Sequence, residues 1–150
     1  MRRAAPQLGL ALLALAGTAQ LGASEAGWPG VANLQRARID YMLKCQGCHR
    51  ADGAGNLAST PPLAGKVAKF LAVPGGREFL GRVPGVASAD LGDDRLAEVL
   101  NYALYRFDAG HVPAGFKPYT AAEIANLRKT PLRIDRAETR ARLVAQTVRQ

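Results

Sequence analysis

Cys45-Gln46-Gly47-Cys48-His49 sets two thiols and an imidazole within five residues of a chain that has no other cysteine. Two residues between the thiols let both sulfurs of one helical turn reach the two vinyl groups of a porphyrin, and His49 can then meet the iron from the proximal side. The pattern is the signature of covalent c-type haem attachment. Paired cysteines serve two other chemistries. A redox-active pair of the thioredoxin kind wants a strand before the motif and a βαβ pattern around it, which the flanks do not show. Half a zinc site would need two further ligands, and His111 is the only strong candidate away from the motif.

The N-terminus agrees with that chemistry independently. Arg2 and Arg3 form a positive n-region, Leu8 to Ala16 is a short apolar stretch, and small residues follow with cleavage expected after Ala19 or Ala23. The apolar run is well short of the roughly 18 residues that a spanning helix needs, and no second hydrophobic span occurs. Residues 1–23 therefore read as an export signal, residues 24–110 as one domain and residues 111–150 as a helical extension. Covalent haem attachment of the bacterial type takes place outside the cytoplasmic membrane, so a periplasmic location is expected. The net charge of +8 becomes +6 when Arg2 and Arg3 leave with the signal. A surface of that sign steers association with an acidic partner, whereas no interleaved basic and aromatic patch suggests nucleic acid.

The elements that must position the motif are helical. Val31 to Lys44 predicts a helix leading into it, with Val31, Leu34, the stem of Arg38, Ile39, Met42 and Leu43 as an inward stripe and Arg36, Asp40 and Lys44 outside. Arg50 to Asn56 and Ser59 to Pro62 read as loops. Gly65 to Ala72 and Gly76 to Arg82 read as short helices broken by Pro74-Gly75, and Val83 to Ala89 as a loop. Leu96, Val99, Leu100, Ala103, Leu104 and Phe107 recur at helical spacing and predict the longest helix, Asp93 to Phe107, with Asp90, Asp93 and Asp94 near its positive end. Thr120-Ala121-Ala122-Glu123 is a capping box opening a helix to about Lys129. Ile134 to Val148 predicts a last, arginine-rich helix, expected as a solvated, partly frayed tail, with docking to an acidic partner as the alternative.

His49, Asp52-Gly53-Ala54-Gly55 and Pro61-Pro62-Leu63-Ala64-Gly65 together resemble the haem-binding half of class I c-type cytochromes, over roughly residues 28–108. The resemblance implies an all-α class I cytochrome c-like fold around one haem c, held through Cys45 and Cys48. It implies that the Pro61 carbonyl receives the second ring nitrogen of His49, that Leu63 packs on the porphyrin, and that Tyr102 or Tyr105 stands where the first and last helices cross. Electron transfer between redox partners follows from it, such as a dehydrogenase and a terminal acceptor, with no enzymatic step.

One position departs from the class. Its members usually take the second axial ligand from a methionine in the loop before the last helix. Residues 73–92 contain no Met, His, Lys or Cys, and the only methionines are Met1 and Met42. The alternatives are an open or water-ligated iron, His111 folding back, or a lysine among Lys66, Lys69 and Lys117. An open iron would bind small gas ligands or reduce peroxide, with Arg77 or Arg82 placed to assist proton transfer.

Overall fold

The computed structural model describes residues 27–56 and 59–148, so the expected export signal lies outside the described residues. Seven α-helices make the frame: α1 Leu34–Lys44, α2 Gln46–His49, α3 Gly76–Arg82, α4 Pro84–Ala87, α5 Asp93–Asp108, α6 Ala121–Leu127 and α7 Arg136–Thr147. Two short 3-10 helices, Ala68–Ala72 and Ala109–His111, complete it. The architecture is the all-α one expected.

α5 is the spine, and its periodicity is realised closely. Leu96, Val99, Ala103, Leu104 and Phe107 are buried, with Leu100 packed at the edge of the same core. Gly92 at its N-cap offers no side-chain bond, so Asp93 and Asp94 act on the first turn through charge. Tyr102 is the aromatic at the helix crossing, its ring 5.6 Å from that of Trp28 and 6.0 Å from that of Tyr41. Tyr105 lies farther out, between Trp28 and Phe116.

α1 crosses α5 with the opposite face to the one its apolar pattern predicts. Ala37, Asp40 and Tyr41 face inward, whereas Leu34, Ile39, Met42 and Leu43 are 37%, 45%, 47% and 72% exposed. Of the expected stripe only Val31 is buried, and it precedes the helix. The reason is electrostatic. α5 presents Glu98, itself buried, which accepts from the Asn33 N–H at 2.7 Å and from Arg36 Nε at 2.9 Å. Arg95 of α5 pairs through both nitrogens with Asp40, whose side chain is 1% exposed. Buried carboxylates with fixed partners outweigh a weak apolar stripe in choosing the face. Asn33 caps the helix, its Oδ1 accepting from the Arg36 N–H at 2.8 Å.

The C-terminal segment is packed, which overturns its reading as a frayed tail. Ile124 and Leu143 are fully buried and Leu132 nearly so. Thr120 caps α6 as the box predicts, but the Glu123 carboxylate turns away to take two hydrogen bonds of 2.6 Å from Arg77 of α3. The Arg77 guanidinium also lies over the Tyr119 ring, 4.2 Å from its centroid. Buried Asn101 joins both ends of the fold, donating to the carbonyls of Gly30 and Tyr119 and accepting from the Tyr119 N–H. α7 closes over the 3-10 helix Ala68–Ala72 and α3, so the extension and the domain share one core.

Candidate functional site

α1 delivers the motif. Its last turn passes directly into α2, with the Cys45 N–H donating to the Tyr41 carbonyl and the N–H groups of Cys48 and His49 donating to the Cys45 carbonyl at 3.2 and 2.9 Å. Cys45 is half-buried against the core, Cys48 is exposed, and both are free thiols on one turn. Between them in the chain, an added Cβ on Gly47 would meet no atom within 4 Å, so the turn is open at that residue.

Cys45 is unsuited to start redox chemistry. Burial pushes the Cys45 pKa up to about 11, helped by the nearby charges of Asp40 and Cys48. A redox-active pair needs a depressed thiol pKa, so Cys45 lacks the thiolate that such a reaction starts from. Among the described residues no group of three or more His, Cys, Asp or Glu is arranged to hold a metal ion.

His49 is held for a different purpose. Burial lowers its pKa, opposed by the Pro61 backbone carbonyl facing the ring, so the imidazole is neutral at pH 7 with a lone pair to offer. Nδ1 is buried without a hydrogen-bond partner in this structure. The Pro61 carbonyl thus faces the ring without making a hydrogen bond to Nδ1. A partnerless buried ring nitrogen beside a carbonyl fits a histidine whose second nitrogen engages a metal and whose first then closes onto that carbonyl. The residues present thus fit a covalently held haem, with Cys45 and Cys48 for the two thioethers, His49 for the iron and the Pro61 carbonyl as acceptor for the histidine ring.

The loop after His49 folds back to bring Pro61 there. Arg50 takes a positive φ of 66°, and the Tyr41 hydroxyl donates to its carbonyl at 2.7 Å. The Gly55 N–H donates to the His49 carbonyl at 3.1 Å, and the Leu63 N–H to the Gly53 carbonyl at 2.7 Å. Gly55 has a φ of +65°, and a Cβ there would overlap the carbonyl of Thr60 and press on that of Pro61. Only glycine lets the chain pass so close to the carbonyls beside His49. Leu63 is half-buried and packs on the core, on the stretch that the resemblance assigns to the porphyrin.

His111 stands elsewhere. Its Nδ1 lies 2.5 Å from Oδ1 of Asp108, a carboxylate only 2% exposed whose Oδ2 accepts from the Ala68 N–H at 2.7 Å. A carboxylate accepts, so Nδ1 is the donor of this pair. His111 lines a surface cavity of about 280 Å³ with Lys69, Ala72 and Thr147, without Cys45, Cys48 or His49 among the lining residues. Lys66 and Lys69 line an adjoining groove with Arg140. Arg77 is engaged by Glu123, and Arg82 donates from Nε to the Thr130 carbonyl at 2.6 Å. Asp108 was legible as the carboxylate three residues before His111, whereas the long-range partners of Arg77 and Arg82 had no local signal. Met42 is half-exposed on the outer face of α1 and is no core residue.

No family model matches the chain. It is similar to a cytochrome c-552 of Thermus thermophilus, with 36% identity over 121 residues that make up 69% of this chain and 82% of the relative. A second cytochrome c-552 of Thermus thermophilus is 38% identical over 107 residues, 59% of this chain and 82% of that protein. The 121 matched positions exceed 69% of a 150-residue chain, so the relative carries residues within the match that this chain lacks.

Proposed function

Because the chain belongs to the class I c-type cytochromes and is an electron carrier with one covalently bound haem c, we propose that Cys45 and Cys48 tether the haem and that His49 is the proximal iron ligand. When bound, the haem supplies a one-electron iron couple. The chain's own residues do the rest. His49 offers a neutral imidazole, and the Pro61 carbonyl fixes its tautomer and orientation. Leu63 covers the porphyrin, and the packed rings of Tyr41, Tyr102 and Phe107 close the core behind the motif. No acid or base group is required. The observation that carries this reading is the partnerless buried Nδ1 of His49 beside the Pro61 carbonyl, one turn from two free thiols.

The protein works in the periplasm after loss of residues 1–23. There it passes single electrons from a dehydrogenase to a terminal acceptor, docking on acidic surfaces through its net positive charge. No helix among the described residues is long and apolar enough to cross a membrane. The side of the iron opposite His49 has no methionine ligand. His111 is tied through Nδ1 to Asp108 and lines a cavity without the motif residues, which favours an open or water-ligated face over bis-His ligation. That second reading gives a site for small gas ligands. Spectra of the ferric and ferrous protein with a carbon monoxide titration test it. Rapid binding to a high-spin ferrous form is expected, whereas a low-spin spectrum abolished by His111→Ala would establish His111 as the ligand instead.

A further inference from the structure

α7 and the 3-10 helix Ala68–Ala72 enclose a groove of about 430 Å³ with an apolar floor and cationic walls. Phe70, Val144 and Pro62 supply the floor, and Lys66, Lys69 and Arg140 the walls. No Asp or Glu is among the described residues that line it. Elsewhere the fold pairs its cations. Arg36, Arg77, Arg95 and Arg128 each hold a carboxylate, Arg128 adding the carbonyls of Ala87, Ala89 and Leu91. Among the described residues no carboxylate pairs with Lys66, Lys69 or Arg140. Three like charges gathered around one apolar strip repel one another, and no acidic side chain of the groove offsets that repulsion.

Both walls are fixed by the fold. The Ala68 N–H donates to Oδ2 of Asp108 at 2.7 Å and the Gly65 N–H to the Phe107 carbonyl at 3.0 Å, which ties the segment bearing Lys66 and Lys69 to the end of α5. A Cβ on Gly76 would overlap the Phe70 carbonyl, so α3 backs the same segment directly. The wall bearing Arg140 is seated by Leu143, which is fully buried. The groove also reaches the haem-attachment side of the molecule: Pro62 lines it, and the carbonyl of the preceding residue, Pro61, faces the His49 ring.

We propose that this groove is the docking site for an acidic segment of the redox partner. Carboxylates of that segment pair with Lys66, Lys69 and Arg140, and an apolar side chain between them rests on the floor. The proposal depends on the electron-carrier reading and assigns docking to one face instead of to the net charge as a whole. An apolar floor recessed between charged walls is the anatomy of a protein interface, a dry centre inside a polar rim. A layer of lipid headgroups would meet the rim charges and leave the floor uncovered.

The test uses the haem-loaded full chain and, as probe, a glutamate-rich peptide with interspersed leucines. Affinity is read by fluorescence anisotropy and the site by backbone amide shifts, expected to concentrate on residues 66–72 and 140–148. Lys66→Gln combined with Lys69→Gln and Arg140→Gln weakens binding on the order of tenfold at low salt, the sum of three partly exposed ion pairs. Arg133→Gln combined with Arg136→Gln and Arg142→Gln removes the same charge from exposed residues outside the groove lining and leaves binding within about twofold, because charges off the contact act only through the screened field. Equal weakening in the two triple variants, amide shifts centred elsewhere, or binding of phosphatidylglycerol vesicles without binding of the peptide overturns the proposal. Should the groove variant unfold, the amide shifts of the wild type decide alone. Absence of covalent haem, read separately from the intact mass of the same preparation, overturns the electron-carrier reading instead.

Discussion

The turn that carries the thiols and the connection that precedes α5 are held in opposite ways. Residues 45–64 are shaped by bonds among themselves: Cys48 and His49 to Cys45, Gly55 to His49, Leu63 to Gly53. Residues 83–92 also bond among themselves, Val86 and Ala87 to Val83 and Ser88 to Pro84, but they are tied in addition to Arg128, a side chain 35 to 41 residues away from its four acceptors. The first arrangement persists wherever the local sequence is intact. The second depends on the C-terminal segment being docked. Changes in residues 111–150 are therefore expected to reach residues 83–92 before they reach residues 45–64.

The contrast can be broken most severely at the motif. Cys45→Ala with Cys48→Ala is expected to abolish covalent haem, seen as loss of haem staining on a denaturing gel; retained stain would contradict the attachment site. Leu143→Ala removes a fully buried side chain from α7 and is expected to cost about 3 kcal/mol, measured by denaturant titration, while leaving covalent haem in place. A cost near zero would mean that α7 is not part of the core. Glu98→Ala strips the Asn33 N–H and Arg36 of their partner and is expected to cost about 2 kcal/mol, loosening α1 as it enters the motif. Amide exchange in α1 should rise with it, and unchanged exchange would show that the aromatic contacts alone seat the helix.

The smallest effect is one of pH. Burial pushes the Tyr41 phenol up to about 12, against about 10 in an unfolded chain. Between those values the folded protein keeps a proton that the unfolded chain has released, so this residue's contribution to stability falls as pH rises above about 10. Tyr41→Phe should flatten that part of the profile and also loosen Arg50, whose carbonyl the hydroxyl holds. A profile that Tyr41→Phe leaves unaltered would show that the phenol does not titrate differently on folding.

How far the sequence could be read follows the same division. The motif, the proline a dozen residues on, the glycines between them and the periodicity of α5 are local patterns, and that of α5 is realised in the residues it buries. The face of α1 was not legible, because the choice was made by Glu98 and Arg95, whose partners lie some sixty residues away in the chain. The segment from Pro131 onward reads as a solvated tail because it carries five Arg against Asp135 and Glu138, yet Leu143, with Val144 beside it, packs against the core and anchors α7. Arg128 gave no signal at all: an arginine near the end of a short helix is ordinary until its three carbonyl acceptors come together.

Tryptic cleavage after Lys44 and Arg50 frees a peptide that contains both thiols and His49, and its mass in the purified protein tests the central assignment most directly. The account predicts this peptide with one haem attached and no thiol left to alkylate. A peptide recovered with two alkylatable thiols, from a protein whose haem is removed by acidic organic solvent, would contradict it.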